Sequence, residues 1–136
     1  MAGVCAALSA CGAQPPEPID EPIASVEDVE RLEQVVDTSL PLVQQAYSIE
    51  SENVCDKQGG KWKKVGRQQA YACVLPANDA GKACSDSSEC EVTCVTGKNQ
   101  VEAGQKVSGV CLETTDLFGC RAYVTKGVVE HTLCVD

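Results

Sequence analysis

Eight cysteines crowded between Cys55 and Asp136 constrain this chain more than any other feature: Cys55, Cys73, Cys84, Cys90, Cys94, Cys111, Cys120 and Cys134. That density is the mark of a disulfide scaffold made in an oxidising compartment. The segment needs such support, because the whole chain holds one Trp, one Phe and three Tyr, and large rings supply much of the buried area in small cores. Each closed loop stabilises the fold by about 2–4 kcal/mol, mainly by restricting the unfolded chain. Zinc ligation is disfavoured by spacing: there is no Cys-x-x-Cys pair, and the run Cys84-x5-Cys90-x3-Cys94 is no zinc knuckle. No metal and no cofactor is therefore expected. All eight cysteines are expected to pair, in one of on the order of a hundred possible connectivities.

Charge divides the chain in the same place. Between Gly12 and Val54 there are ten acidic residues and only one base, Arg31, whereas from Cys55 onward acids and bases balance at ten each. The net charge of −9 thus belongs to the amino-terminal part. Such a segment stays extended and repels polyanions, which argues against nucleic-acid binding.

The first residues, Met1 to Ala10, are small and apolar, too few to span a bilayer, and read as the end of a secretion signal. An upstream start would account for the short run and the missing leading base. Leu8-Ser9-Ala10-Cys11 resembles the lipobox of bacterial lipoproteins. That resemblance implies acylation of Cys11 and its exposure as the first mature residue. Cys5 would be discarded and Cys11 spent on lipid, leaving an even number for pairing. Gly12 in place of Asp implies the outer membrane as destination, if the cell has two membranes. The alternative is a short buried amino-terminal helix.

Residues 11–54 then read as an acidic, proline-rich tether. Gln14 to Pro22 forms a semi-rigid spacer. Val26, Val29, Leu32, Val36 and Leu40 recur at steps of three and four, predicting a helix near 26–40 that Pro41 ends or kinks, with a turn or two continuing over Leu42–Tyr47. This helix either packs on the cysteine domain or is offered to a partner.

Residues 55–136 are expected to form a small β-rich, disulfide-stabilised domain of two hairpins and a turn-rich knuckle. Lys61–Val65 and Gln69–Leu75 form the first hairpin, turning at Gly66-Arg67, with Cys55 and Cys73 placed to clasp its ends and Trp62 able to meet Tyr71 across the strands. The pattern Cys55-x3-Gly59-Gly60, then Cys73-x-Leu75-Pro76 and Cys84 resembles small envelope lipoproteins that carry the name haemolysin, a likeness of about 30 residues that implies location alone. The knuckle runs from Asp79 to Cys94. Val107–Leu112 reads as a strand. The second hairpin, Arg121–Thr125 and Val128–Thr132, turns at Lys126-Gly127 and is placed for a Cys120–Cys134 clasp.

Chemistry is sparse. His131 is the only histidine, and no Gly-x-Ser-x-Gly elbow surrounds a serine. The acidic residues Asp79, Asp86, Glu89 and Glu91 lack the calcium-loop spacing. No enzyme is expected. One constellation points toward binding: Lys61, Lys63, Lys64 and Arg67 crowd around Trp62. In a strand, Lys61 and Lys63 share one face while Trp62 and Lys64 share the other, and such a face can take an anionic glycan or an acidic protein. It can equally be a hairpin whose lysines discourage edge pairing, or a dock for the acidic tether. The expected role is a non-catalytic binding or structural module, lipid-anchored at the cell envelope. A disulfide-rich inhibitor of a hydrolase, such as a protease or lysozyme, is the other class these features allow.

Overall fold

Ser51 and the pair Gly59-Gly60 bracket a helix that cysteine spacing does not announce. A computed structural model describes Gly3, Gly12 and residues 34–97 and 101–136. The lipidation candidate Cys11 and the expected helix as far as Glu33 lie outside the described residues. Among those described, no helix is long and apolar enough to cross a membrane.

Helix α1 spans Leu42–Ser48 and α2 spans Glu52–Lys57. The expected helix near 26–40 does not reach Leu40: residues 34–37 are irregular and 38–40 turn. Asp37 closes a turn by accepting from the Ser39 amide at 2.9 Å. Pro41 then starts α1 instead of ending a helix, which suits a residue with fixed φ and no N–H. Ser51 caps α2, its hydroxyl accepting from the Val54 amide at 3.4 Å. Gly59, at φ 74°, closes α2 in a Schellman motif: Gly60 N–H donates to the Cys55 carbonyl at 2.9 Å and Gly59 N–H to that of Asp56 at 3.0 Å. A side chain at Gly60 would put its Cβ 2.8 Å from both Cys55 Sγ and Cys73 Sγ. The second glycine therefore makes room for the disulfide.

Strands β1 (Lys61–Val65) and β2 (Ala70–Val74) pair antiparallel as a two-stranded sheet. The predicted strand bounds shrink by one residue at each end of the second strand, and the turn takes in Gly66 to Gln69. Cys55–Cys73 clasps this hairpin to α2. Val36, Ala46, Ile49, Val54 and Leu75 close around that bond, with Leu42 and Trp62 packed against them. The folded part thus takes in residues assigned above to the tether.

The rest forms one antiparallel sheet of five strands, ordered β3 (Ala83–Cys84), β5 (Gly109–Cys111), β4 (Cys94–Thr96), β6 (Gly119–Thr125) and β7 (Val128–Val135). The β6–β7 turn has φ 50° at Lys126 and 76° at Gly127, the mirror-image turn that suits strand twist. Cys84–Cys94 and Cys90–Cys111 lie on the inner face. Together with Val124 they form the core there, with Val107 packed on it. Cys120–Cys134 clasps the open end of β6–β7. Segment 113–118 joins the two sheets. Thr115 accepts from the Leu75 amide through Oγ1 at 3.0 Å and donates its own amide to the Leu75 carbonyl at 3.0 Å.

Candidate functional site

The alternation of β1 divides the basic cluster between two faces, as its sequence predicts. Trp62 and Lys64 share one face of the hairpin with Tyr71 and Cys73, while Lys61, Lys63 and Val65 share the other. Lys63 is committed within the protein, its Nζ 2.7 Å from Asp116 Oδ2. Burial pushes the Asp116 carboxyl up, but hydrogen bonds from Lys63 and the Phe118 amide outweigh it and leave the group below its ordinary value. Lys61 lies exposed at the start of β1. Arg67 projects from the turn, its guanidinium 3.9 Å from Asp136 with both side chains open to water, a contact of little energetic weight. The five candidates thus do not form one basic face.

What remains on the even-numbered face is an aromatic ledge with one cation. The rings of Trp62 and Tyr71 lie nearly parallel, 6.2 Å between centroids and 5° between planes. Lys64 Nζ sits 5.5 Å from the Tyr71 centroid, within cation–π range. Trp62 is half-buried against the first core, which anchors the ledge, whereas Tyr71 is 59% exposed. Tyr71 completes the site. The sequence already lets Trp62 meet Tyr71 across the strands, and the register adds Lys64, directly opposite Tyr71.

The other sequence candidates resolve into structural roles. His131 is exposed and stacks on Tyr123 across the strands, 5.9 Å between centroids. The knuckle carboxylates stitch backbone. Asp86 accepts from the Ser88 amide at 3.0 Å and the Lys126 amide at 3.0 Å, and these bonds hold its carboxyl below the ordinary value. Glu89 accepts from the Ser85 amide and hydroxyl at 2.9 and 3.0 Å and is lowered for that reason. Asp79 takes the Glu91 amide at 2.8 Å, and Glu91 takes the Asn78 side chain at 3.1 Å. Sulfurs of Cys84, Cys90 and Cys94 lie within 4.8 Å of one another, yet each belongs to a disulfide and offers no thiolate to a metal.

An open groove of about 250 Å³ on the outer face of the larger sheet is lined by Val95, Val110, Leu112, Glu113, Thr114 and Arg121, among others. Arg121 is occupied in propping the joining segment, donating to the carbonyls of Asp116 and Phe118 at 3.0 and 3.4 Å. No family model matches the chain, and neither a curated protein nor a solved structure matches it significantly.

Proposed function

We propose that this chain is a non-catalytic binding module displayed at the cell envelope, anchored through lipid on Cys11, and that it holds an anionic glycan on the ledge of Trp62, Tyr71 and Lys64. The observation that carries this reading is the parallel ring pair with a lysine fixed over its exposed member. A chain this poor in rings leaves Tyr71 in water, on a hairpin clasped by Cys55–Cys73. Rings held in place lose little freedom on binding, and they stack well against the flat C–H face of a sugar. Lys64 supplies the partner for a carboxylate or sulfate beside that face.

Capture on immobilised polyuronate, sulfated polysaccharide, dextran and polyglutamate tests this. Wild type should bind the two anionic glycans and release them as salt screens the charges. Tyr71→Ala and Lys64→Gln should each weaken binding by about tenfold, equivalent to roughly 1.4 kcal/mol. Lys63→Gln should matter less, since Lys63 is already paired. Preference for polyglutamate, unmoved by Tyr71→Ala, would replace the glycan by an acidic protein. Equal capture by all variants would remove the ledge from consideration. The anchor is tested separately: Cys11→Ser should abolish acyl labelling and release the protein from membranes.

A further inference from the structure

The four disulfides among the described residues are not equivalent to an attacking thiol. Cys55 and Cys73 are 0% and 4% exposed, Cys84 and Cys94 6% and 0%, and Cys111 1%, with its partner Cys90 partly covered. Cys120 and Cys134 are both exposed. They face each other directly across β6 and β7, at the end of the hairpin away from its turn, and neither belongs to a core cluster. At the turn end, Val124 and Val129 are fully buried and the Lys126 amide is held by Asp86. Opening the far end therefore leaves the sheet's inner face intact.

We infer that Cys120–Cys134 is the thiol–disulfide exchange site of this protein, open to dithiols while the other three bonds are shielded. Exchange requires a thiolate to approach a sulfur in line with the bond it breaks, so access sets the order of reaction. A dithiol's thiolate attacks one exposed sulfur, forming a mixed disulfide and releasing the other cysteine as thiolate, which takes up a proton. The second thiol of the reagent, deprotonated, then displaces the first cysteine. The dithiol ends as a cyclic disulfide, oxidised by two electrons, and Cys120 and Cys134 end as thiols. The strand pair remains, because the ladder from Arg121↔Leu133 to Thr125↔Val128 does not depend on the bond. A dithiol is the class of reductant that this site admits.

The test is stepwise reduction of the folded chain with dithiothreitol, trapping by alkylation and peptide mass mapping. Cys120 and Cys134 should become labelled together at reductant concentrations about tenfold below those that label any other cysteine of residues 55–136. The Cys120→Ser, Cys134→Ser double variant should retain three disulfides and native circular dichroism while losing the early step. Simultaneous opening of all four bonds, prior opening of another pair, or survival of the early step in the double variant would each overturn the assignment. If the double variant does not fold, the wild-type order of labelling decides alone.

Discussion

Around Cys55–Cys73 the disulfide is one member of an apolar cluster that includes Val36, Ala46, Ile49, Val54 and Leu75. Around Cys94 the disulfides largely are the cluster: Cys84, Cys94 and Cys111 join Val124, with Cys90 and Val107 packed on them. The first region recruits two short helices to cover one face of a hairpin. The second has little hydrocarbon available, because its strands β3, β4 and β5 are two or three residues long. Sulfur substitutes for the missing side chains. The difference teaches that a bridge acts in two ways here, by restricting the unfolded chain in both regions and by filling the interior chiefly in the second.

The sharpest way to break this comparison is to remove one bridge from each region. Cys55–Cys73 and Cys90–Cys111 span similar separations, 18 and 21 residues, so loop entropy alone gives them nearly equal weight, about 3 kcal/mol each. If sulfur is also the packing, the Cys90→Ala, Cys111→Ala variant should lose more, toward 5 kcal/mol, with the five-stranded sheet no longer cooperative. The Cys55→Ala, Cys73→Ala variant should still unfold as one transition. Urea titration of both, read by circular dichroism, checks this; equal losses would leave entropy as the whole account.

Next in size are substitutions that press a methyl against each bridge. A Cβ at Gly109 would lie 2.5 Å from Cys94 Sγ and 3.1 Å from the Val95 carbonyl oxygen. At Gly60 the nearest atoms are the two sulfurs at 2.8 Å and Leu75 Cδ2 at 2.9 Å. Gly109→Ala and Gly60→Ala should each destabilise by about 1–3 kcal/mol. Gly109→Ala should cost more, because backbone and a doubly cross-linked layer yield less than the end of a leucine. Thermal melting of the pair measures the difference.

The smallest effect is acid loosening confined to the knuckle. Asp86 and Glu89 are held below their ordinary values by the amides and hydroxyls they accept from. A carboxyl lowered on folding contributes stability that is fully present above its unfolded value, near 4, and is lost as pH falls through its folded value. Hydrogen exchange at the Ser88 and Lys126 amides should therefore rise selectively below about pH 4, with β1 and β2 little changed. Asp86→Asn should remove most of that response at Lys126. A uniform response across both sheets would mean that these bonds do not act locally.

Much of this was legible where neighbours in sequence become neighbours in space. Lys61–Val65, the Lys126-Gly127 turn, the clasps Cys55–Cys73 and Cys120–Cys134, and the meeting of Trp62 with Tyr71 all follow from alternation and turn chemistry. The helix α2 was readable in principle from Ser51 and Gly59, yet six residues make a weak periodic signal. The apolar spacing through Val36 and Leu40 pointed to a helix near 26–40, but Val36 instead enters the first core from an irregular segment. Alternation by itself placed Lys61 and Lys63 on the side opposite Trp62 and Lys64, whereas only long-range packing hands Lys63 to Asp116.

By itself the sequence determined that this chain depends on disulfides, that acidity and cysteines occupy separate stretches, and that two hairpins flank a turn-rich knuckle. Composition, the period of strands and the chemistry of tight turns are local quantities, and each can be evaluated without knowing the fold. Only the tertiary structure decided that Cys84 takes Cys94 while Cys90 takes Cys111. Three cysteines within eleven positions can satisfy bond geometry in several ways. The choice follows from placing β5 between β3 and β4, a pairing that strands remote in sequence make on burial. The same long-range packing left Tyr71 and Lys64 exposed near the turn of their hairpin and set Cys120–Cys134 apart from the shielded bridges.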